Sequence, residues 1–350
     1  MDVYLRSVGA HVPDNIYSNE DICRAIGFPL GKARKYASLL GVTERPICVD
    51  YRDGGRQIIS GEELAYQAAL DALQGAGMQA SQVDAVISCS SFFDFIAPPV
   101  SSRLLKRLGL AQAFTLDLIG GCAEFLHGIQ VASRLIRCGD ARNVLVTSSE
   151  TINAWWAQTR FPIEHFIFGD TGGAVVVSAE PGPYRLVDGE LTTQSMIGEQ
   201  PAELICMPII GGKAPAELFY EADRPSSEVK QLSAVEDRYR LVHRIDQVAM
   251  AAPAAMVRAT RTVLERTGIA PTDVYLVPHQ ASINVLNALG GTEVPPDQIG
   301  ISLPRRGNMS TSSVPVTWAE HRAQAAEHRF LMMTSVGVGM SYGALAFERA

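Results

Sequence analysis

The stretch Phe114–Gly139, FTLDLIGGCAEFLHGIQVASRLIRCG, decides how the rest of the chain is read. It opens as an apolar run from Phe114 to Ile119, interrupted by Thr115 and Asp117, and turns at Gly120–Gly121. From Cys122 the period changes: Cys122, Phe125, Ile129, Ala132 and Ile136 share one stripe at about 3.6 residues per turn. Arg134 and Arg137 suit the carboxyl end of a helix, and Gly139 suits a left-handed stop. The pattern predicts a strand, a tight glycine corner and a helix whose first turn carries Cys122. A helix start has unpaired N–H groups and partial positive charge, which favour thiolate over thiol. Cys122 is therefore a candidate nucleophile. The competing reading is a buried cysteine acting as a small apolar side chain.

Bulk properties narrow the class. With 350 residues, 47% hydrophobic and 19% charged, the chain has enough apolar surface for a large core in two domains or two fused halves. A net charge of −7 with no basic run argues against a nucleic-acid partner. The six cysteines are scattered, with no C-x-x-C pair, which argues against a zinc site and a disulfide framework. The opening MDVYLRSVGAHVPDN lacks a charged region followed by an apolar one, and no membrane-length apolar run follows. The expectation is a soluble cytoplasmic protein with no membrane partner.

The second part of the chain repeats the first. Gly77–Ser88 lines up with Gly268–His279 (268 − 77 = 191), Arg142–Ser149 with Arg329–Val336 (329 − 142 = 187), and Gly169–Val177 with Gly339–Phe347 (339 − 169 = 170). Three anchors in one order predict a duplicated α/β unit, divided here as residues 1–182, carrying the nucleophile, and 183–350. Gly189–Tyr239 is surplus, polar and Pro-containing, and reads as a cap over an entrance.

A nucleophilic thiol needs partners that hold or move protons. Of seven histidines, His279 stands where the run Val274–Val277 gives way to a helix, in VPHQASINVLNAL. His127 reads as locally packed or hydrogen-bonded, and His165, ahead of FGD, is a weaker candidate. In RRGNMSTSSVPVTW (Arg305–Trp318), Asn308 sits between a glycine and small hydroxylated residues before a helix; an N-cap loop is the alternative reading. Gly-rich SVGVGMSYG (Ser335–Gly343) follows a strand and allows a backbone N–H to approach a ligand oxygen.

GGCAEF, FGDTGGA, VPHQASI, RRGNMSTSSVP and GVGMSYGALAF, in this order, resemble the 3-oxoacyl-acyl-carrier-protein synthase III group of the thiolase superfamily; GVTERPI resembles its entrance segment. The resemblance spans nearly the whole chain. It implies a five-layered αβαβα thiolase fold of two duplicated halves and a homodimer built through the first-half sheet. It assigns Cys122, His279 and Asn308 to the catalytic triad and the backbone N–H groups of Cys122 and Gly339 to the oxyanion hole. Ala97, Phe168 and Ser310 fall to substrate binding. The implied activity is decarboxylative condensation of a cysteine-bound acyl group with a malonyl thioester. Partners would be coenzyme A or acyl carrier protein thioesters, with no metal and no redox cofactor. Acyl transfer without decarboxylation, and a non-catalytic subunit of a heterodimer, are the alternatives. Asn308 favours condensation, because an amide donates a hydrogen bond to an enolate and an ionised Asp does not.

Three departures from that group point to a specialised fatty-acid or polyketide pathway. Lys32–Arg45 lacks the tryptophan that stacks on adenine, leaving Lys35 or Tyr36 nearby. Ala97 stands for an aromatic residue that reaches the partner subunit's acyl pocket. Glu124 stands for a small residue two positions past the nucleophile. Arg240, Arg244, Arg305 and Arg306 are the basic residues available for carrier docking.

Overall fold

Neighbouring residues on each long strand point into different layers, and this alternation builds the molecule. The computed structural model describes residues 1–92, 94, 97–156, 164–197, 200–201, 205–206, 242–243 and 245–350. Strand β1 (Tyr4–His11) leads to helices α1 (Asn19–Ala25) and α2 (Gly31–Leu40), parted at Gly27 and Pro29. Ser18 caps α1 by accepting the Asp21 N–H at 3.1 Å, and Ser60 caps the next helix by accepting the Glu63 N–H at 3.1 Å. That helix is α3 (Gly61–Gly75). After it come β2 (Ala85–Ser90), α4 (Val100–Leu108), β3 (Phe114–Ile119), α5 (Glu124–Cys138), β4 (Asn143–Ser149) and β5 (Gly172–Ser178). The second set comprises β6 (Tyr184–Thr193), α6 (Ile245–Thr267), β7 (Val274–Pro278), α7 (Ile283–Ala288), α8 (Ser313–Glu320), β8 (Phe330–Gly337) and β9 (Ser341–Arg349).

The strands run β3-β2-β4-β5-β1 and then β6-β9-β8-β7, joined through Tyr4↔Arg185 and Leu5↔Tyr184. Pairing directions repeat with the order. β2 pairs parallel with β3 and β4, and β5 pairs antiparallel with β4 and β1. Likewise β7 pairs parallel with β8, and β9 pairs antiparallel with β8 and β6. Beyond β7 a parallel bridge from Leu276 to Ile299 occupies the place that β3 has in the first half. The two halves are duplicated α/β units.

Five layers follow from the alternation. Ile87, Val144, Val146, Val175 and Val177 share a central core with Tyr275, Val277, Leu331, Met333 and Leu345, and α5 and α8 fill it. Val86, Leu145 and Val176 turn the other way, onto α3 and α4. Leu276, Met332 and Ala344 turn outward onto α6 and α7. Each fully buried Val, Leu or Ile contributes roughly 2 kcal/mol over its exposed state. The thiolase-like αβαβα architecture is thereby observed. The expected division after residue 182 falls in the turn between β5 and β6. Of the predicted cap, Gly189–Thr193 extends β6, and residues 207–239 lie outside the described residues. Among the described residues no helix is long and apolar enough to cross a membrane.

Candidate active site

The segments leading into α5 and α8 meet in the central layer. Cys122 lies in the turn before α5, which starts at Glu124 with Ala123 in the cap position. The predicted helix start is thus two residues early, because Gly120–Gly121 turn the chain and the Glu124 N–H closes on the Gly121 carbonyl at 3.0 Å. The expected depression of the thiol pKa is also corrected. Burial pushes the Cys122 thiol up to about 12; Ser310 opposes the rise, and the Glu150 and Glu124 carboxyls add to it. Withdrawal from water outweighs the helix end here. Glu124 itself folds over Gly120, leaving no room there for a Cβ, and accepts the Gly121 N–H. Its carboxylate lies 3.6 Å from His127 Nδ1, and burial raises its pKa.

The α8 side supplies Asn308 and Ser310. The Asn308 N–H donates to the Ile167 carbonyl at 2.7 Å, its own carbonyl accepts the Gly169 N–H at 3.1 Å, and the segment bridges Phe168. Asn308 Oδ1 accepts the Ser310 N–H at 2.9 Å, which sets the orientation of the amide. Nδ2 is left with a long 3.4 Å bond to the Ala281 carbonyl, weak enough to be exchanged for a ligand oxygen. Ser310 is a non-glycine residue at φ 45°, and its hydroxyl donates to Cys122 Sγ at 3.4 Å.

His279 directly follows β7 and is 1% exposed, with its N–H on the Thr334 carbonyl at 2.8 Å. Its Nδ1 is buried and has no hydrogen-bond partner among the described residues. Burial pulls its pKa down to about 3, so the ring is neutral near pH 7. Gln280, fully buried beside it, accepts the Ser302 and Leu303 N–H groups at 2.9 and 3.0 Å and so ties the end of β7 to the approach to Asn308. The turn after β8 completes the enclosure. A Cβ at Gly337 would lie 2.7 Å from the Cys122 nitrogen, and Ser335 Oγ donates to the Cys122 carbonyl at 2.9 Å. Gly339 holds φ 117°, a conformation that favours glycine, and its neighbour Val338 presses on Gly121.

The remaining assigned residues spread around this centre. Phe168 is half-buried beside Asn308, and Ala97 is exposed. Tyr36 stacks on Phe166 with centroids 4.6 Å apart, whereas Lys35 is exposed. Arg306 is held by Glu320 at 2.6 Å and Arg305 is exposed; Arg240 and Arg244 lie outside the described residues.

Sequence reasoning passed over three buried charged residues and one serine. Glu150 Oε1 accepts the Ser91 N–H at 3.0 Å, the Thr311 N–H at 3.2 Å and the Thr311 hydroxyl, while Oε2 accepts the Phe92 N–H at 3.2 Å. Burial raises it to about 7. Asp170 accepts the Cys48 N–H at 2.7 Å and the Asn153 N–H at 3.1 Å, and burial raises it to about 6. Arg45, fully buried beneath Gly169 and Gly307, donates to the Asn19 side chain and to the Phe166 carbonyl at 2.9 Å. Burial lowers it to about 9. Ser91 follows β2 and meets Ser310 at 2.7 Å, hydroxyl to hydroxyl. The available signal was a polar residue closing an apolar strand, as in NVLVTSSE.

Comparison with known proteins supplies the family. The model for 3-oxoacyl-[acyl-carrier-protein] synthase III matches residues 116–195, and the model for that enzyme's C-terminal part matches residues 264–349. A beta-ketoacyl-[acyl-carrier-protein] synthase III of Geobacillus kaustophilus is 27% identical, covering 97% of each chain. One of Phocaeicola vulgatus is 24% identical over 99% of this chain and 96% of its own. The crystal structure of 3-oxoacyl-(acyl carrier protein) synthase III from Pseudomonas aeruginosa superposes with a TM-score of 0.80 at 24% identity, covering 100% of this chain and 98% of that one. Matched segments in both halves, relatives aligned from end to end and a common fold agree that this chain is a 3-oxoacyl-acyl-carrier-protein synthase III-like enzyme of the thiolase superfamily.

Proposed function

We propose that the protein joins a Cys122-bound acyl group to a malonyl thioester with loss of carbon dioxide, in a specialised fatty-acid or polyketide pathway. The observation that carries this reading is a neutral, buried His279 two residues before Ala281, whose carbonyl holds the Asn308 amide donor only weakly. The Cys122 thiolate attacks the donor thioester, and the tetrahedral oxyanion takes hydrogen bonds from the Cys122 and Gly339 N–H groups. The donor's thiolate leaves and the acyl-enzyme remains. His279 and Asn308 Nδ2 then donate to the malonyl thioester carbonyl. Carbon dioxide departs, the enolate is held by these two donors, and its carbon attacks the acyl carbonyl. The new C–C bond forms as the C–S bond to Cys122 breaks. Neither donor needs a net charge, which suits a site shielded from water. The scheme requires no metal or redox cofactor.

Coenzyme A or a carrier protein delivers donor and extender. Tyr36, already stacked on Phe166, is engaged within the protein, which favours a mode of donor binding without a free aromatic platform. Ala97 leaves space for a longer or bulkier acyl chain, with Phe168 and Ser310 lining the approach. The protein works as a homodimer through β3, the sheet's edge strand in the first half, where Phe114 is 52% and Ile119 59% exposed.

Intact-protein mass spectrometry with a panel of acyl-coenzyme A and acyl-carrier donors tests the first step, alongside Cys122→Ala. A mass gain on the wild type alone supports the nucleophile. Carbon dioxide released on addition of malonyl carrier protein supports condensation. Acylation with transfer to an alcohol or amine and no carbon dioxide release overturns it in favour of plain acyl transfer.

A further inference from the structure

A thiol whose surroundings resist ionisation needs a local donor. Charge on the sulfur is opposed by burial and by two carboxyls, Glu150 at the end of β4 and Glu124 on the adjoining helix. His279, just after β7, is neutral and offers no compensating charge. Besides the backbone N–H of Cys122 itself, what reaches the sulfur is the Ser310 hydroxyl, at 3.4 Å. A hydroxyl has one proton, so a Ser310 that donates to Sγ must accept from Ser91, whose Oγ lies 2.7 Å away. The donation is therefore directional: Ser91 to Ser310 to Cys122. Each bond polarises the next.

The protein also holds this pair in place. Ser310 is kept at a left-handed φ of 45° while its N–H is tied to Asn308 Oδ1, a conformation that costs a non-glycine residue energy. Glu150 accepts the Ser91 N–H and both the N–H and hydroxyl of Thr311, the residue after Ser310, and so clamps the two serine-bearing segments together.

We propose that Ser91 and Ser310 form a two-hydroxyl donor chain that stabilises the Cys122 thiolate, with Glu150 as the positioning residue that aligns them. The inference rests on Cys122 as nucleophile, as read above, and is independent of whether condensation or transfer follows.

The test is iodoacetamide alkylation of the full-length protein near pH 8, followed by peptide mapping of Cys122 with exposed Cys138 as internal reference. Loss of a hydrogen bond to a charged sulfur lowers the thiolate fraction by about one to two powers of ten, and higher intrinsic nucleophilicity returns part of that. Ser310→Ala should alkylate Cys122 roughly three- to tenfold more slowly, with Cys138 unchanged. Ser310→Gly removes the hydroxyl and also relieves the left-handed backbone, so the same slowing there excludes a folding artefact. Ser91→Ala should slow the reaction less, and the double variant should match Ser310→Ala because Ser91 acts only through Ser310. Wild-type rates in both Ser310 variants, or independent multiplicative losses in the double variant, would overturn the proposal. No substrate takes part, so failure of the condensation assay leaves this result standing.

Discussion

Replacing Glu150 by Gln isolates one buried charge. Glu150 is fully buried and takes four hydrogen bonds, three of them on Oε1. A Gln with its carbonyl at Oε1 keeps those three and turns its amide toward the Phe92 N–H, a clash of two donors that does not vary with pH. What does vary is ionisation. The carboxyl is raised by burial from 4.5 to about 7, so the folded state holds its proton where the unfolded chain has lost it. Its contribution is fully present below pH 4.5 and is lost as pH rises through 7. At about 1.4 kcal/mol per pH unit, that loss is about 3 kcal/mol. An unfolding entropy of about 0.7 kcal/mol/K for a chain of this length converts it to roughly 4 °C in Tm. Thermal melts of wild type and Glu150→Gln at pH 4.5 and pH 8 should therefore diverge. Whatever the offset at low pH, the variant should gain about 4 °C relative to wild type at the higher value. His279 and Asp170 titrate in both proteins and cancel. A difference that stays constant, or moves the other way, would mean that the four donors hold Glu150 ionised throughout, and the burial reasoning would be wrong.

Asn308→Asp keeps the acceptor for the Ser310 N–H and loses the donor, so Cys122 should still acylate while carbon dioxide release from malonyl thioester falls about a hundredfold or more. His279 is depressed to about 3 against an ordinary 6.5, so its stabilising contribution is full above pH 6.5 and is lost as pH falls toward 3. Between pH 7 and pH 4.5, His279→Gln should consequently lose about 3 kcal/mol less stability than wild type, read as urea midpoints; equal losses would contradict a buried neutral ring. Phe114→Lys combined with Ile119→Lys should convert a dimer to a monomer by light scattering, since both side chains stand on the exposed edge of β3. A dimer that survives both changes pairs through another face.

The architecture was legible wherever a regular period met a glycine stop. The anchors that repeat in sequence became β2 and β7, β4 and β8, β5 and β9, because two-residue alternation survives duplication even when residue identities do not. The counterpart of β3 was not legible, since a single bridge at Ile299 needs no alternating run. The site divides in the same way. Cys122 and His279 sit where an apolar run breaks beside a glycine or proline, and Asn308 sits between a glycine and a run of small hydroxylated residues, all visible along the chain. Glu150 is not visible, because it binds backbone N–H groups 59 and 161 residues away and leaves no pattern around itself.

The thiol is the instructive failure. A helix start favours thiolate by about 1 kcal/mol near its end, whereas full burial of a charge moves a pKa by several units, so the sign of the shift turns on depth and not on motif. Depth arises only when the turn after β8 closes over the glycine corner and the segment before α8 arrives from 188 residues away. The end of β8 and the segment before α8 bring the Ser335 and Ser310 hydroxyls to Cys122. The enclosure that removes water from the sulfur thus also delivers the hydroxyl that stands in for it. Cys122, partly exposed even so, depends on both at once, and a change that opened the site further to water should therefore raise simple alkylation of Cys122 while lowering acyl retention.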